Sequence, residues 1–87
     1  MMEMDSKPHL AAGCRLHPTA DILLVPEGTL NLTGPSREIL TRLDGRRTVT
    51  EIVDDLLLQF EGAGADEVGQ DVLALLNRMQ QRGVVRL

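Results

Sequence analysis

The chain has 87 residues, 43% of them apolar, with 13 acidic against 9 basic side chains and a net charge of −4. That length supports one domain with a core near the lower limit of self-sufficiency. A nucleic-acid binder needs a cationic face to displace counterions from phosphates, and this charge balance argues against that class. With one Phe and no Trp or Tyr, the core must be built from Leu, Val, Ile and Met.

No apolar run approaches the roughly 18 residues of a membrane helix, and the opening MMEMDSKPHL lacks the basic and apolar regions of a signal peptide. The single Cys14 cannot form an intramolecular disulfide, which fits a reducing compartment. The expectation is a cytoplasmic protein without membrane association.

In chain order, residues 1–10 mix Met, Asp, Ser, Lys and Pro without a period and read as a flexible tail, with a single domain over residues 11–87. Arg15-Leu16-His17 and Ile22 to Val25 are short extended segments, separated by the turn chemistry of Pro18-Thr19-Ala20-Asp21. Pro26-Glu27-Gly28 is a second turn, and Thr29-Leu30-Asn31-Leu32 alternates polar and apolar as a half-buried strand does. The three segments predict a small antiparallel meander.

Thr33-Gly34-Pro35 opens a first helix whose stripe is Ile39, Leu40 and Leu43, and Asp44-Gly45 closes it. Thr48 and Glu51 have capping-box spacing at the start of a second helix. Its stripe of Val49, Ile52, Val53, Leu56, Leu57 and Phe60 follows a 3.6-residue period. Glu61-Gly62-Ala63-Gly64-Ala65 interrupts the pattern. Asp66 then offers a cap for a third helix carrying Val68, Val72, Leu75, Leu76 and Met79 and ending at Gly83. Val84 to Leu87 is a short terminal strand or an extended tail. A three-stranded antiparallel sheet followed by three helices predicts an α+β, winged-helix-like domain.

Two leucines leave their stripes. At 100° per residue, Leu58 points about 180° from Val49, and Leu73 about 140° from Val68, on the side of Asn77 and Gln80. Single exposed leucines are common. Yet Leu73, Asn77 and Gln80 beside Leu76 also suit a groove floor with amides at its rim. Thr29 to Leu32 raises the same choice between a solvated sheet edge and one that accepts an extended peptide as an added strand.

Catalytic chemistry is sparse. His9, Cys14 and His17 make a poor zinc set without a fourth ligand, GAGAD lacks the lysine and preceding strand of a phosphate loop, and Glu51, Asp54 and Asp55 read as a solvated face. The sequence suggests no active site, metal or cofactor. Arg46 and Arg47, side by side between two helices, either meet a partner or fold back, Arg47 onto Asp44.

VPEGTLNLTGPSREILTRLDGRRTVTEIVDDLLLQF, followed by VGQDVLALLNRMQQRGVV, resembles the PqqD family, small peptide chaperones of pyrroloquinoline quinone biosynthesis. The resemblance is carried by Pro26-Glu27-Gly28, Leu30-Asn31, Ile39-Leu40, Leu43-Asp44-Gly45, Arg47-Thr48-Val49, Glu51-Ile52-Val53, Asp71-Val72 and Arg82-Gly83. The pattern departs at Val84, where a tryptophan is usual, and at Val25, where a tyrosine is. The resemblance implies a non-catalytic protein that binds the precursor peptide PqqA and presents it to the radical S-adenosylmethionine enzyme PqqE. Related recognition domains hold a peptide along the third strand beside the third helix. Carried over, that implies a site of Thr29, Leu30, Asn31 and Leu32 with Leu73, Leu76, Asn77 and Gln80. Asp44, Gly45, Arg46 and Arg47 are the expected surface for the partner enzyme, and the chain is expected as monomer or homodimer.

Two other classes fit less well. A DNA-binding winged helix needs a basic recognition face, whereas the third helix begins with acidic residues. A carrier protein needs an Asp-Ser pair opening a helix, and Ser6 after Asp5 lies in the expected tail.

Overall fold

In the computed structural model, which describes residues 1–60 and 62–87, four short strands are followed by three helices and a last short strand. They are β1 (His9–Leu10), β2 (Arg15–Leu16), β3 (Ile22–Val25), β4 (Gly28–Asn31), α1 (Ser36–Leu40), α2 (Val49–Gln59), α3 (Ala65–Gln81) and β5 (Val85–Arg86). The expected break between the second and third helices includes Glu61, which lies outside the described residues.

β2, β3 and β4 form the antiparallel meander, in that spatial order. Pro26-Glu27 makes the tight turn between Val25 and Gly28, which pair across it, and Gly28 takes φ +145°. Leu23 pairs with Leu30 and Leu16, and this face of the sheet covers the helices. Leu23 is wholly buried and central to that face.

α2 begins as the spacing predicts. Thr48 Oγ1 accepts from the Glu51 N–H at 3.1 Å, and Glu51 Oε1 accepts from the Thr48 N–H at 3.0 Å. Val49, Ile52, Val53 and Leu56 bury the inner face of α2 against Val72, Leu75 and Leu76 of α3. α3 closes in a Schellman motif: Gly83, at φ +78°, donates to Gln80 O at 3.0 Å and Val84 donates to Met79 O at 2.9 Å.

Three elements differ from expectation. Asp66 does not cap α3. Gly64 holds the cap position and Ala65 is the first helical residue, so Asp66 and Glu67 sit in the first turn, where their charge meets the positive end of the helix dipole. α1 stops at Leu40, and Leu43 lies beyond it. The Arg42 guanidinium accounts for the early stop: it donates to Glu38 O and to Asp55 and Gln59 of α2, each at 2.6 Å, tying the end of α1 to its neighbour.

The third difference is larger. The loose tail expected over residues 1–10 is instead laid against the helices. Met2 is 3% exposed and Pro8 is buried. Helix α2 explains this placement, because the first amides of a helix have no partner within it. The Val49 N–H donates to Ser6 O and the Thr50 N–H to Met4 O, both at 3.0 Å, so the aperiodic segment supplies carbonyls the helix lacks. The same segment then forms β1, which pairs with β5 through His9 opposite Arg86 and Leu10 opposite Val85. No helix among the described residues is long and apolar enough to cross a membrane.

Candidate peptide-binding groove

β4 is an edge. The Leu32 N–H donates to Asp21 O at 2.8 Å, and the register places Leu30 opposite Leu23. Backbone groups alternate inward and outward along an antiparallel ladder, so Leu30 and Leu32 spend theirs on β3. The N–H and C=O of Thr29 and Asn31 therefore face outward. Their side chains are exposed, whereas Leu30 is half-buried and Leu32 buried.

The helix face beside this edge is not the one expected. Leu75, Arg78, Met79 and Arg82, spaced i, i+3, i+4 and i+7, line a groove of about 200 Å³ with Leu30, Asn31, Leu32 and Thr33. Neither arginine has a carboxylate partner among the described residues. Of the expected α3 set, Leu76 is 0% exposed and belongs to the core. Leu73 and Asn77 lie about 160° around the helix from Leu75, and Gln80 follows them on that far side. There Asn77 Oδ1 accepts from the Met2 N–H at 2.9 Å. Met4 also reaches Gly69, one turn before Leu73, where its methyl lies 3.9 Å from the place a Cβ would occupy. The structure thus brings Thr29, Leu30, Asn31 and Leu32 together at one edge. It sets Leu73, Asn77 and Gln80 on a flank that the chain's own N-terminal segment overlies. The i, i+3, i+4, i+7 set of two apolar and two basic residues was the available signal for the groove face.

The joint between α1 and α2 is built around one carboxylate. Asp44 Oδ1 accepts from the Arg46 N–H at 2.8 Å and the Arg47 N–H at 2.9 Å. The backbone amides of Arg47 and then Arg46 hold the Asp44 carboxyl below its usual range. Arg47 folds back, its guanidinium 3.8 Å from Asp44 and 3.7 Å from Asp55. Gly45, at φ +76°, donates to Pro8 O at 3.0 Å. Arg46 is exposed and has no ion pair among the described residues, and none of the four lines the groove.

His17 Nδ1 accepts from the Thr19 and Ala20 amides at 3.2 and 3.0 Å, which shapes the β2–β3 turn. No group of three or more His, Cys, Asp or Glu that could hold a metal ion occurs among the described residues.

A free strand edge beside a helix with apolar and cationic side chains is the geometry of domains that take an extended peptide as an added strand. The family model for Coenzyme PQQ synthesis protein D (PqqD) matches residues 22–85, and the chain belongs to the PqqD family. It is 36% identical over 87 residues to a PqqA binding protein of Xanthomonas oryzae pv. oryzae, covering 95% of this chain and 94% of that one. It is 44% identical over 78 residues to a PqqA binding protein of Pseudomonas aeruginosa, covering 84% and 82%. Among solved structures, it superposes with a TM-score of 0.85 and 27% identity on the PqqD truncation of Methylobacterium extorquens PqqCD. That protein is described as a functional, stand-alone recognition element for ribosomally synthesized and post-translationally modified peptides. The match covers 100% of this chain and 96% of that one.

Proposed function

We propose that this protein is a non-catalytic chaperone of pyrroloquinoline quinone biosynthesis that binds the precursor peptide PqqA and presents it to the radical S-adenosylmethionine enzyme PqqE in the cytoplasm. The observation that carries the reading is the outward-facing backbone of Thr29 and Asn31 beside Leu75, Arg78, Met79 and Arg82. A free peptide loses conformational entropy when it enters an enzyme's active site. Pairing with β4 fixes part of its backbone beforehand, and the α3 side chains fix its register. Holding the pair on the enzyme raises the local concentration of peptide. The Asp44–Arg47 joint, which does not line the groove, is the surface assigned to the enzyme, with Arg46 as the charge unpaired among the described residues.

The chain has no Tyr or Trp, so the tyrosine of a synthetic Pseudomonas aeruginosa PqqA can be followed alone by fluorescence anisotropy. The wild-type chain gives saturable binding. Asn31→Pro removes one edge donor at a position where an edge strand tolerates proline, and weakens binding at least tenfold while the fold persists by circular dichroism. Undiminished binding by that variant removes the site, and no binding by the wild type removes the function. Adding the chain to PqqE and PqqA accelerates peptide cross-linking; an unchanged rate removes the presentation step.

A further inference from the structure

The groove beside β4 continues past the strand. Beyond Leu32 it runs along the turn at Thr33, Gly34, Pro35 and Ser36, against Asp71, Ala74 and Arg78 of α3. It then opens into a cavity of about 440 Å³ between α1, the end of α2 and the start of α3. Pro35, Ile39, Leu56, Phe60, Val68 and Val72 make its wall almost entirely carbon. Phe60 is the only aromatic residue of the chain, and it is 38% exposed. A core residue at that position would be covered; here the side chain lines the cavity and more than a third of the residue is exposed.

The charges along this path have a direction. Arg78 and Arg82 stand at the β4 end. Glu38 and Asp71 stand at the rim of the cavity. Glu38 is engaged by Arg42 at 3.1 Å, and Asp71 has no cationic partner among the described residues. From Arg78 to Val68 is ten residues of helix, about 15 Å, which an extended chain crosses in about four or five residues.

We propose that the peptide paired with β4 extends along α3 and anchors one apolar side chain, aromatic or long aliphatic, in the cavity beside Phe60. Its acidic residues lie over Arg78 and Arg82, about four or five positions from the anchor. This rests on the peptide-binding reading and deepens it. Continuity of the groove and its charge polarity select the occupant: a chain already bound at β4 reaches the cavity without a new interface. An anchored side chain there also fixes the register that backbone pairing leaves free to slip by two residues.

The test uses synthetic Pseudomonas aeruginosa PqqA and a set of peptides with each apolar residue replaced singly by Ala, titrated against the wild type and Phe60→Ser. One peptide position loses about tenfold or more in affinity for the wild type, the scale of burying one apolar side chain. The same replacement costs nothing further against Phe60→Ser, because the two changes remove one contact. Val68→Ala, on the opposite wall, shows the same coupling to the same position. Peptide binding that remains sensitive to Asn31→Pro but shows no coupled position overturns the anchor and leaves the β4 site standing. Failure of wild-type binding removes both. A Phe60→Ser chain that keeps its peptide affinity but changes sedimentation assigns the cavity to a second copy and overturns the proposal.

Discussion

The Met2 N–H donates to Asn77 Oδ1 at 2.9 Å, joining residues 75 positions apart. Asn77 is thereby a clamp on the chain's own N-terminal segment. Asn77→Ala is expected to cost about 1 kcal/mol in urea unfolding, the scale of one hydrogen bond. It also raises amide exchange over residues 2–6, whose carbonyls at Met4 and Ser6 serve α2, and leaves PqqA affinity unchanged. A severalfold loss of affinity returns Asn77 to the binding surface.

The α2 cap sets an acid limit on stability. Glu51 has its pKa lowered chiefly by the Thr48 backbone amide and then by the Thr48 hydroxyl, and Asp44 has its pKa lowered by the Arg47 and Arg46 amides. A carboxyl whose folded pKa lies below its unfolded one stabilises fully above the unfolded value and loses that stabilisation as pH falls through the folded one. The contribution of these two carboxyls is therefore constant above the ordinary values of 4.5 and 3.8 and is lost as pH falls below them, which lowers the melting temperature in acid. Glu51→Gln and Asp44→Asn each flatten that fall. Thr48→Ala lowers stability at neutral pH by about 1 kcal/mol.

Two leucines separate core from surface. Leu76→Ala removes a side chain that is 0% exposed and costs about 2–5 kcal/mol in urea unfolding. Leu58→Glu, at a position 84% exposed, changes stability by less than about 0.5 kcal/mol. Any larger cost at Leu58 assigns that side chain a contact the monomer does not make.

At the α1–α2 joint, Arg47 is engaged by Asp44 and Asp55 while Arg46 is unpaired among the described residues. Arg46→Glu is expected to weaken association with PqqE severalfold in surface-plasmon measurements and to leave PqqA binding alone. Unchanged association removes the joint from the enzyme-facing surface.

The strands from β2 to β4, the α2 cap and the Gly83 stop were legible because each is written locally, in alternation, spacing or a single residue type. The phase of α3 was only half legible. Its buried stripe is periodic, but nothing local says which neighbour covers each flank of that stripe. Leu75, read as core, is buried there and also walls the groove beside β4 with Met79, while Asn77, read as groove, holds the Met2 N–H and Leu73 packs against the core. The deciding partner was the N-terminal segment, which follows no period because it packs through backbone carbonyls and two isolated side chains.

The two-residue clasp between β1 and β5 has a mechanical corollary. His9 faces Arg86 and Leu10 faces Val85, so tension applied at the two chain ends pulls from the same side of the ladder. Antiparallel strands loaded this way unzip one pair at a time rather than resisting in shear. A tether at one end alone leaves the clasp unloaded, whereas anchoring both ends to separate bodies loads it fully once residues 2–8 have come away from Asn77, Thr50, Val49 and Gly45.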